Sequence, residues 1–390
     1  MGNVASEMGY KIPEKFSLNR KLKLLYLVTE DWYFVSHRLP LAVAAQAAGF
    51  DVAVATREGR QADVIRSAGI RLIPFSQSRR SGNPLREVTA LWRLYRREQP
   101  DLVHHVALKP VMFGTLAVWL ARVPAQVNAV AGLGWLFTTS SGIVRLVRPV
   151  LRWMLARLLN RPYCLTIVQN PEDRSLLERS GVPAASLRLI RGAGVNVQVF
   201  HPVRPPPEPV CIVLVSRMLW DKGVGEFVEA ARRLTGAGVN ARFVLVGNPD
   251  PANPASVPES SLRSWHGQNG VEWWGRREDM PAILQAAHIA CLPSAYGEGL
   301  PKSLLEAAAC GLPIVTTDAP GCREVVRDGV NGLLVPVRDV TALAAALGKL
   351  IGDPLLRRRM GEQSRLRAES EFAQEAIIAQ TLAVYREVCA

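Results

Sequence analysis

The sequence predicts an α/β protein built from two doubly wound Rossmann-like domains that face each other across a cleft. Three observations lead to this prediction. The length of 390 residues exceeds the roughly 100–200 residues of one ordinary domain. Short apolar runs alternate with helical patterns, as in parallel sheets covered on both faces. Finally, the segment 201–209 contains five prolines in nine residues, which excludes a helix interior or a central strand and indicates a linker.

The N-terminal domain is predicted from residue 1 to residue 200. It begins with an apolar run of strand length at 22–28, and a helical pattern follows at 37–48, where Gly49 closes it. Further strands are predicted at 52–55, 71–73, 102–106, 126–130 and 164–168. Further helices are predicted at 85–97, 110–121, 143–160 and 171–179.

The C-terminal domain is predicted at 210–390, after the linker at 201–209. The alternation restarts there, with strands at 210–215, 241–246, 289–292 and 314–316. Helices are predicted at 223–234, 280–287 and 302–309. The last helix, at about 371–388, is expected to pack back on the N-terminal domain. Open α/β sheets bind ligands beyond the carboxyl ends of their strands, so the cleft is the expected ligand site.

Positive charge is concentrated in the first half of the chain. Residues 1–200 contain 27 Lys and Arg against 13 Asp and Glu, whereas residues 201–390 contain 20 against 21. A basic half suggests a polyanionic partner, either nucleic acid or an anionic membrane leaflet. No nucleic-acid-binding signature is present, so no nucleic acid is expected.

The predicted helix 143–160 carries its charge on one face. Arg145, Arg148 and Arg152 lie opposite an apolar stripe of Val147, Val150, Met154 and Leu158. Such a helix can lie on an anionic membrane or pack its stripe on the sheet. The apolar runs are shorter than the roughly 20 residues of a membrane span, and residues 1–20 resemble no secretion signal. The expected location is cytoplasmic, peripheral on the inner membrane.

Two groups of residues in the C-terminal domain could bind a substrate or take part in catalysis. Arg217 and Lys222 follow the strand 210–215 and precede a helix. They would point two cations and free helix-end N–H groups at an anion such as a diphosphate, or they could simply be solvated in a loop. The six cysteines show no metal-ligand spacing, and no metal is expected.

The second group is a pair of carboxylates, Glu298 and Glu306, on a glycine-containing turn and in the helix after it. Carboxylates suit polyols because they accept strong hydrogen bonds from hydroxyl groups. With the N–H groups of Gly299 and Leu300, they could bind sugar and phosphate together. For Glu298, complementing the helix macrodipole is the simpler alternative.

At these residues the chain resembles the family 4 retaining glycosyltransferases of GT-B fold. The resemblance rests on E-x7-E within YGEGLPKSLLEAAACGLPIVTTDAPGCREVVRDGVNGLLVP, together with Arg217 and Lys222. Three segments of the first domain are similar to the branch that adds sugars to bacterial polyprenyl-diphosphate-linked glycans: TEDWYFVSHRLPLA (29–42), DLVHHVALKPVMFG (101–114) and AGLGWLF (131–137).

The resemblance implies roles for individual residues of the second domain. Arg217 and Lys222 would hold the nucleotide diphosphate and neutralise the leaving group, while Glu306 would bind the ribose hydroxyls. The donor sugar would contact Glu298 and the backbone of Gly299, Leu300 and Pro301. The base pocket would include Gly275 and Arg276.

In the first domain, the resemblance places a histidine against the donor sugar. His104 and His105 are the candidates, and one ring should face the site because side chains alternate along a strand. The choice between them stays open. The loop 29–36 lacks the family's glycines, which makes Glu30, Asp31, His37 and Arg38 candidate acceptor contacts.

The sequence thus predicts a metal-independent retaining glycosyltransferase without a cofactor. It would move a hexosamine or hexose from a nucleotide sugar, expected to be UDP-linked, to a sugar on a polyprenyl-diphosphate carrier. The alternatives are a nucleotide-sugar epimerase of the same architecture and a non-catalytic sugar-nucleotide or glycan-binding protein.

Overall fold

The computed structural model describes residues 20–76, 83–130, 132–133, 142–204, 206–295 and 299–390, without the side chains of 142–148 and 151. The chain divides into two compact units. Unit 1 combines Met1–Ala193 with Ile377–Ala390, and unit 2 is Gly194–Ala376. Each unit contains one parallel sheet covered by helices, so both carry the predicted doubly wound α/β architecture.

Unit 1 is built on a seven-stranded parallel sheet of order β3-β2-β1-β4-β5-β6-β7. Its strands are β1 Lys23–Glu30, β2 Asp51–Arg57, β3 Arg71–Pro74, β4 Leu102–Val106, β5 Ala125–Ala129, β6 Cys164–Val168 and β7 Leu187–Leu189. Its helices are α1 Asp31–His37, α2 Leu39–Ala47, α3 Ala62–Ser67, α4 Pro84–Glu98, α5 Leu108–Ala121, α6 Gly142–Leu159 and α7 Pro171–Arg179.

One predicted helix of unit 1 is divided in the structure. The pattern at 37–48 becomes α1 and α2, which meet at Arg38. Pro40 lies in the first turn of α2. A proline has no N–H to donate back along the chain and is best accommodated in the first turn of a helix, so α2 begins anew there. The division fixes Arg38 at the junction.

Unit 2 is built on a six-stranded parallel sheet of order β10-β9-β8-β11-β12-β13. Its strands are β8 Val210–Val215, β9 Ala241–Val246, β10 Val271–Trp273, β11 Ile289–Leu292, β12 Ile314–Thr317 and β13 Gly332–Val335. Its helices are α8 Val224–Gly236, α9 Glu259–Trp265, α10 Met280–Gln285, α11 Lys302–Ala309, α12 Cys322–Val325, α13 Val340–Gly352 and α14 Pro354–Glu371.

The boundary between the units differs from the predicted linker. Unit 2 begins at Gly194, so the proline-rich segment lies within it. There, the carbonyl of Pro206 lies 3.1 Å from Nε2 of His288, and Arg357 donates to the Glu208 carboxylate at 3.0 Å. A proline-rich segment cannot join a sheet interior, but it can lie along the surface of a domain, and these two contacts hold it there.

The last helix, α15 Gln374–Cys389, supplies side chains to unit 1. Ile377, Val384, Tyr385 and Val388 belong to the core cluster that lies under α1, α2 and α3. Tyr385 is fully buried and its hydroxyl lies 2.9 Å from that of Tyr26 in β1. Among the described residues, no helix combines the length and the apolar character that crossing a bilayer requires.

Candidate functional site

The strand order of the unit 2 sheet reverses between two neighbouring strands, β8 and β11. From β8 the chain proceeds to β9 and β10 on one side, whereas β11, β12 and β13 extend on the other. Ligands of open α/β sheets bind where the strand order reverses, beyond the carboxyl ends. Arg217 and Lys222 follow β8, and Glu306 lies in the helix after β11. The structure therefore brings these three predicted residues to the two strands that flank the switch point.

The segment carrying Lys222 is fixed against the strand next to it. Lys222 ends a short 3₁₀ turn, Trp220–Lys222, and Gly223 follows in the left-handed conformation with φ +74°. A Cβ atom on Gly223 would lie 2.1 Å from the carbonyl oxygen of Pro293. The N–H of Ala295 donates to the carbonyl of Asp221 at 2.9 Å. Only glycine permits this approach, which positions the Lys222 backbone beside the β11 loop.

Arg217 forms an ion pair that the sequence did not reveal. Its Nη1 lies 2.8 Å from Oδ2 of Asp250, and the carboxylate is far less exposed than the guanidinium. Asp250 belongs to the loop after β9, and the N–H of Met218 donates to Asn248 in the same loop at 3.0 Å. The β9 loop thus orients Arg217. A planar guanidinium held at one nitrogen still has donors for a phosphate.

Glu306 is a buried carboxylate on α11, with 8% of the residue exposed. Its Oε1 lies 3.2 Å from Nζ of Lys302, one turn earlier. Burial raises the pKa of Glu306, and the ammonium of Lys302 opposes that rise. A carboxylate that is costly to bury and aligned by a lysine is suited to accept hydrogen bonds from hydroxyl groups.

Of the remaining residues predicted to contact the donor, the structure describes all except Glu298. Gly299, Leu300 and Pro301 are buried at the start of α11, and Pro301 is its N-cap residue. Glu298 lies outside the described residues. Gly275 has φ +67° and its carbonyl accepts the N–H of Gly247 at 2.8 Å.

Arg276 is tied to the loop after β9. Its backbone N–H donates to Oδ1 of Asn248 at 2.7 Å. Gly275 and Arg276 therefore lie beside the loop that holds Asp250, the partner of Arg217. Four loops at the carboxyl ends of β8, β9, β10 and β11 converge on one edge of unit 2. Among the residues the structure describes, no group of three or more His, Cys, Asp or Glu side chains could hold a metal ion.

The two histidines of unit 1 require a correction. Their rings point to opposite faces of the sheet, as alternation requires, but both residues are 0% exposed. His104 Nδ1 is hydrogen-bonded to the Tyr385 hydroxyl. His105 lies between Tyr95 at 3.0 Å and Asn128 at 2.7 Å. Because helices cover both faces of this sheet, each ring lies in a core, and neither presents itself to a sugar.

Burial also determines the charge of these rings. It lowers the pKa of His105 to about 4 and, together with the charge of Arg38, lowers the pKa of His104 well below the usual range. Both rings are therefore neutral at physiological pH. We assign them to the interior of unit 1.

The candidate acceptor residues after β1 have different surroundings. Glu30 pairs with Arg57 at 3.4 Å, and Asp31 accepts the N–H groups of Trp32 and Gln61. The ring of His37 stacks on Tyr33 with centroids 4.1 Å apart. Three of the four candidates, Glu30, Asp31 and His37, thus have local contacts within unit 1.

Asp173 is a buried carboxylate that sequence analysis missed. It lies in the first turn of α7 and accepts the N–H of Leu133 at 3.1 Å and Nδ2 of Asn170 at 3.0 Å. Asn170 in turn caps the helix by accepting the N–H of Asp173. The spacing Asn-x-x-Asp before a helical pattern is a capping signal that could have identified the pair. Burial raises the pKa of Asp173 to about 6.

This pKa predicts a pH-dependent stability. The folded state binds a proton more tightly than the unfolded state, whose Asp pKa is 3.8. Stability should therefore fall by about 3 kcal/mol as pH rises from about 4 to 6. Asp173→Asn should flatten this slope in urea unfolding curves at a series of pH values. An unchanged slope would show that another group titrates.

Helix α6 divides its residues between core and surface. Leu155 and Leu159 belong to a buried cluster with Val111 and Val168, whereas Val150 and Trp153 are 58% and 64% exposed. Packing on the sheet therefore occurs, but not through the predicted stripe as a whole, because Val150 points outward. Arg152 is exposed beside them. Arg145 and Arg148 lie in the described helix, but their side chains are outside the description.

Two family models match the chain. Residues 23–160 match glycosyl transferase 4-like proteins, and residues 209–353 match glycosyl transferases group 1. The first match covers most of unit 1, and the second covers β8 to α13, including Arg217, Lys222 and Glu306.

Curated relatives span most of the chain. An N,N'-diacetylbacillosaminyl-diphospho-undecaprenol alpha-1,3-N-acetylgalactosaminyltransferase of Campylobacter jejuni is 29% identical over 357 residues, 87% of this chain and 90% of that protein. A UDP-Gal:alpha-D-GlcNAc-diphosphoundecaprenol alpha-1,3-galactosyltransferase of Escherichia coli is 25% identical over 285 residues, 70% of this chain and 72% of that protein.

Solved structures share the fold. Anabaena HepE in complex with UDP and glucose superposes with a TM-score of 0.74 at 18% identity, covering 93% of this chain and 99% of that one. The sucrose-phosphate synthase of Thermosynechococcus elongatus gives a TM-score of 0.75 at 21% identity, covering 94% and 99%. At this level of identity, the likeness concerns the fold alone.

Proposed function

The chain is a glycosyltransferase that belongs to family 4 and has the GT-B fold, and we propose the following reaction for it. It transfers a hexosamine or hexose from a UDP-sugar to the sugar of a polyprenyl-diphosphate-linked acceptor, with retention of the anomeric configuration. The observation that carries the proposal is that the Lys222 turn is hydrogen-bonded to the loop between β11 and the Glu306 helix, at the switch point of unit 2.

The donor is bound by complementary charges in unit 2. Lys222 and Arg217 contact the diphosphate, and Asp250 holds the Arg217 guanidinium in orientation. Glu306 accepts hydrogen bonds from the ribose hydroxyls. The E. coli relative is named for UDP-Gal, which supports a uridine nucleotide here. Glu298 and the backbone at Gly299 and Leu300 bind the donor sugar.

The chemical step is a displacement on one face of the sugar. The acceptor hydroxyl oxygen bonds to the anomeric carbon while the bond from that carbon to the β-phosphate oxygen breaks. The departing phosphate accepts the hydroxyl proton, and UDP leaves. Negative charge grows on the diphosphate, so Lys222 and Arg217 stabilise the transition state more than the ground state.

The acceptor assignment rests on the relatives. Both the C. jejuni and the E. coli proteins are named for acceptors linked to undecaprenol through a diphosphate. The excess of basic residues in 1–200 suits a doubly charged phosphate linkage. An epimerase would release an altered nucleotide sugar without any acceptor, and neither relative is named for that activity.

One experiment tests the proposal directly. The protein is incubated with UDP- and GDP-sugars, with and without a short-chain polyprenyl-diphosphate-linked N-acetylglucosamine, and nucleotide release and glycan mass are measured. We expect UDP release that depends on the acceptor, with one sugar added. Acceptor-independent formation of an isomeric UDP-sugar would favour the epimerase, and nucleotide binding without turnover would favour a binding protein.

We also propose that α6 places unit 1 on an anionic membrane surface. Arg152 and the exposed Val150 and Trp153 combine charge and apolar area as interfacial helices do. Reversing Arg145, Arg148 and Arg152 to Glu should weaken binding to phosphatidylglycerol vesicles about 100-fold at low salt, at about 1 kcal/mol for each arginine.

The control for this prediction changes the same charge elsewhere. Arg263, Arg358 and Arg359 are exposed residues of unit 2, and their reversal to Glu should leave vesicle sedimentation nearly unchanged. Equal losses in both triple variants would mean that only net charge matters. Unchanged binding of the α6 variant would contradict the assigned surface.

A further inference from the structure

Arg38 is a buried arginine for whose charge no described residue supplies a partner. Only 4% of the residue is exposed, and its Nε is enclosed with no hydrogen-bond acceptor. Within the part of the chain that the structure describes, its guanidinium forms no ion pair and no hydrogen bond. Charged side chains are almost never fully buried unless they are paired.

The carboxylates nearest to Arg38 in the sequence have other partners. Glu30 pairs with Arg57, and the two Asp31 oxygens accept the N–H groups of Trp32 and Gln61 at 2.7 and 2.8 Å. Neither carboxylate is paired with Arg38. The local structure therefore supplies no counter-charge.

The titratable side chains that interact electrostatically with Arg38 are neutral. They are His104, Tyr26 and Tyr385, all fully buried. His104 also has an enclosed ring nitrogen, Nε2, without a partner. The interior below the α1–α2 junction is thus electropositive and contains unsatisfied polar atoms.

The position of Arg38 is suited to a ligand. It follows α1, the helix that begins at the carboxyl end of β1, and α/β sheets bind ligands beyond the carboxyl ends of their strands. Asp31 and Phe34 of α1 are buried, and the Pro40 start of α2 fixes the other side. The helices on either side therefore fix the backbone at Arg38.

We propose that Arg38 is the receptor in unit 1 for the diphosphate of the lipid-linked acceptor, an inference that rests on the proposed function. A guanidinium matches phosphate oxygens with paired donors. Binding of the diphosphate neutralises a charge that the empty protein buries at a cost. Because the acceptor sugar is bonded to this diphosphate, the same binding also positions the sugar.

The first test measures anion binding. UDP at saturation occupies the diphosphate site of unit 2, and inorganic pyrophosphate is then titrated while Tm is followed. Wild type should gain Tm as pyrophosphate binds, and Arg38→Met should lose this response while Arg38→Lys keeps part of it. Arg179→Met removes an exposed arginine of α7 and should respond like wild type. An equal response of Arg38→Met would overturn the proposal.

The second test uses stability without ligand. Replacing an uncompensated buried charge by an apolar side chain of similar volume stabilises proteins, so Arg38→Met should raise Tm by about 2–4 °C. A structural arginine behaves in the opposite way. A fall in Tm would overturn the proposal, because it would show that the guanidinium stabilises the fold.

The third test is kinetic and separates this inference from the proposed function. With a short-chain polyprenyl-diphosphate-linked sugar, Arg38→Met should raise the acceptor KM about 10- to 100-fold, with a smaller effect on kcat. With a neutral octyl glycoside of the same sugar, the two proteins should have the same KM. UDP affinity, measured in parallel, shows that unit 2 is intact.

The outcomes are distinguishable. If wild type transfers to no diphosphate-linked acceptor, the proposed function fails. If wild type transfers but Arg38→Met has the same acceptor KM, only the inference about Arg38 fails. Inorganic phosphate that protects wild type as well as pyrophosphate does would also overturn it, because the site would then bind any small anion.

Discussion

Lys222→Ala should reduce transfer by about 10²- to 10³-fold, corresponding to about 3–4 kcal/mol of lost transition-state stabilisation. The reason is the charge that develops on the departing diphosphate, which an ammonium fixed beside the β11 loop stabilises. Because Gly223 and Pro293 set the course of the backbone there, the substitution should leave the unfolding curve nearly unchanged. Initial rates with radiolabelled donor measure the effect.

Two further variants make this prediction specific. Lys349→Ala removes an exposed lysine of α13 and should have the wild-type rate. Lys222→Arg keeps the charge and should recover part of the rate. A Lys222→Ala protein with the wild-type kcat would remove Lys222 from the reaction, whatever its effect on donor KM.

Glu306→Gln should weaken UDP binding about 10- to 100-fold, because each hydrogen bond to a charged acceptor contributes about 1.5–3 kcal/mol. It should also stabilise the protein near neutral pH. The pKa of Glu306 is raised in the folded state, so the carboxylate opposes folding at every pH above its usual titration range. Glutamine removes that cost. Affinity by calorimetry and Tm at pH 7 should therefore change in opposite directions.

The control for this pair of measurements is Glu362→Gln on α14, where the carboxylate is exposed and pairs with Arg358. It should change neither quantity. Unchanged UDP affinity in Glu306→Gln would exclude the ribose contact. Lower stability would show that the Lys302 pair outweighs the burial of the carboxylate.

The strands were predictable because parallel strands buried on both faces form nearly continuous apolar runs. β4, β6, β8, β9 and β11 have the predicted bounds. The sequence also indicated Arg217, Lys222 and Glu306, since each lies in the loop or the helix that follows a predicted strand. Their placement beside the switch point depends on the order of the strands in the sheet. The local sequence pattern around each residue does not determine that order.

Other features required the structure. The Arg217–Asp250 pair joins loops from two strands, and no local pattern predicts such a contact. Alternation along β4 correctly separated the rings of His104 and His105, but it could not show that helices cover both faces. The sequence did not predict that residues 340–371 form two helices, α13 and α14.

The return of α15 to unit 1 has a consequence for biosynthesis. Tyr385 contacts Tyr26 and His104 across 280 or more intervening residues, so the core of unit 1 stays incomplete until residues 377–389 have been translated. Unit 2 is continuous in sequence and can finish folding earlier. We expect unit 1 to complete its core only after unit 2 has been synthesised, which leaves an apolar sheet face that chaperones can recognise in the interval.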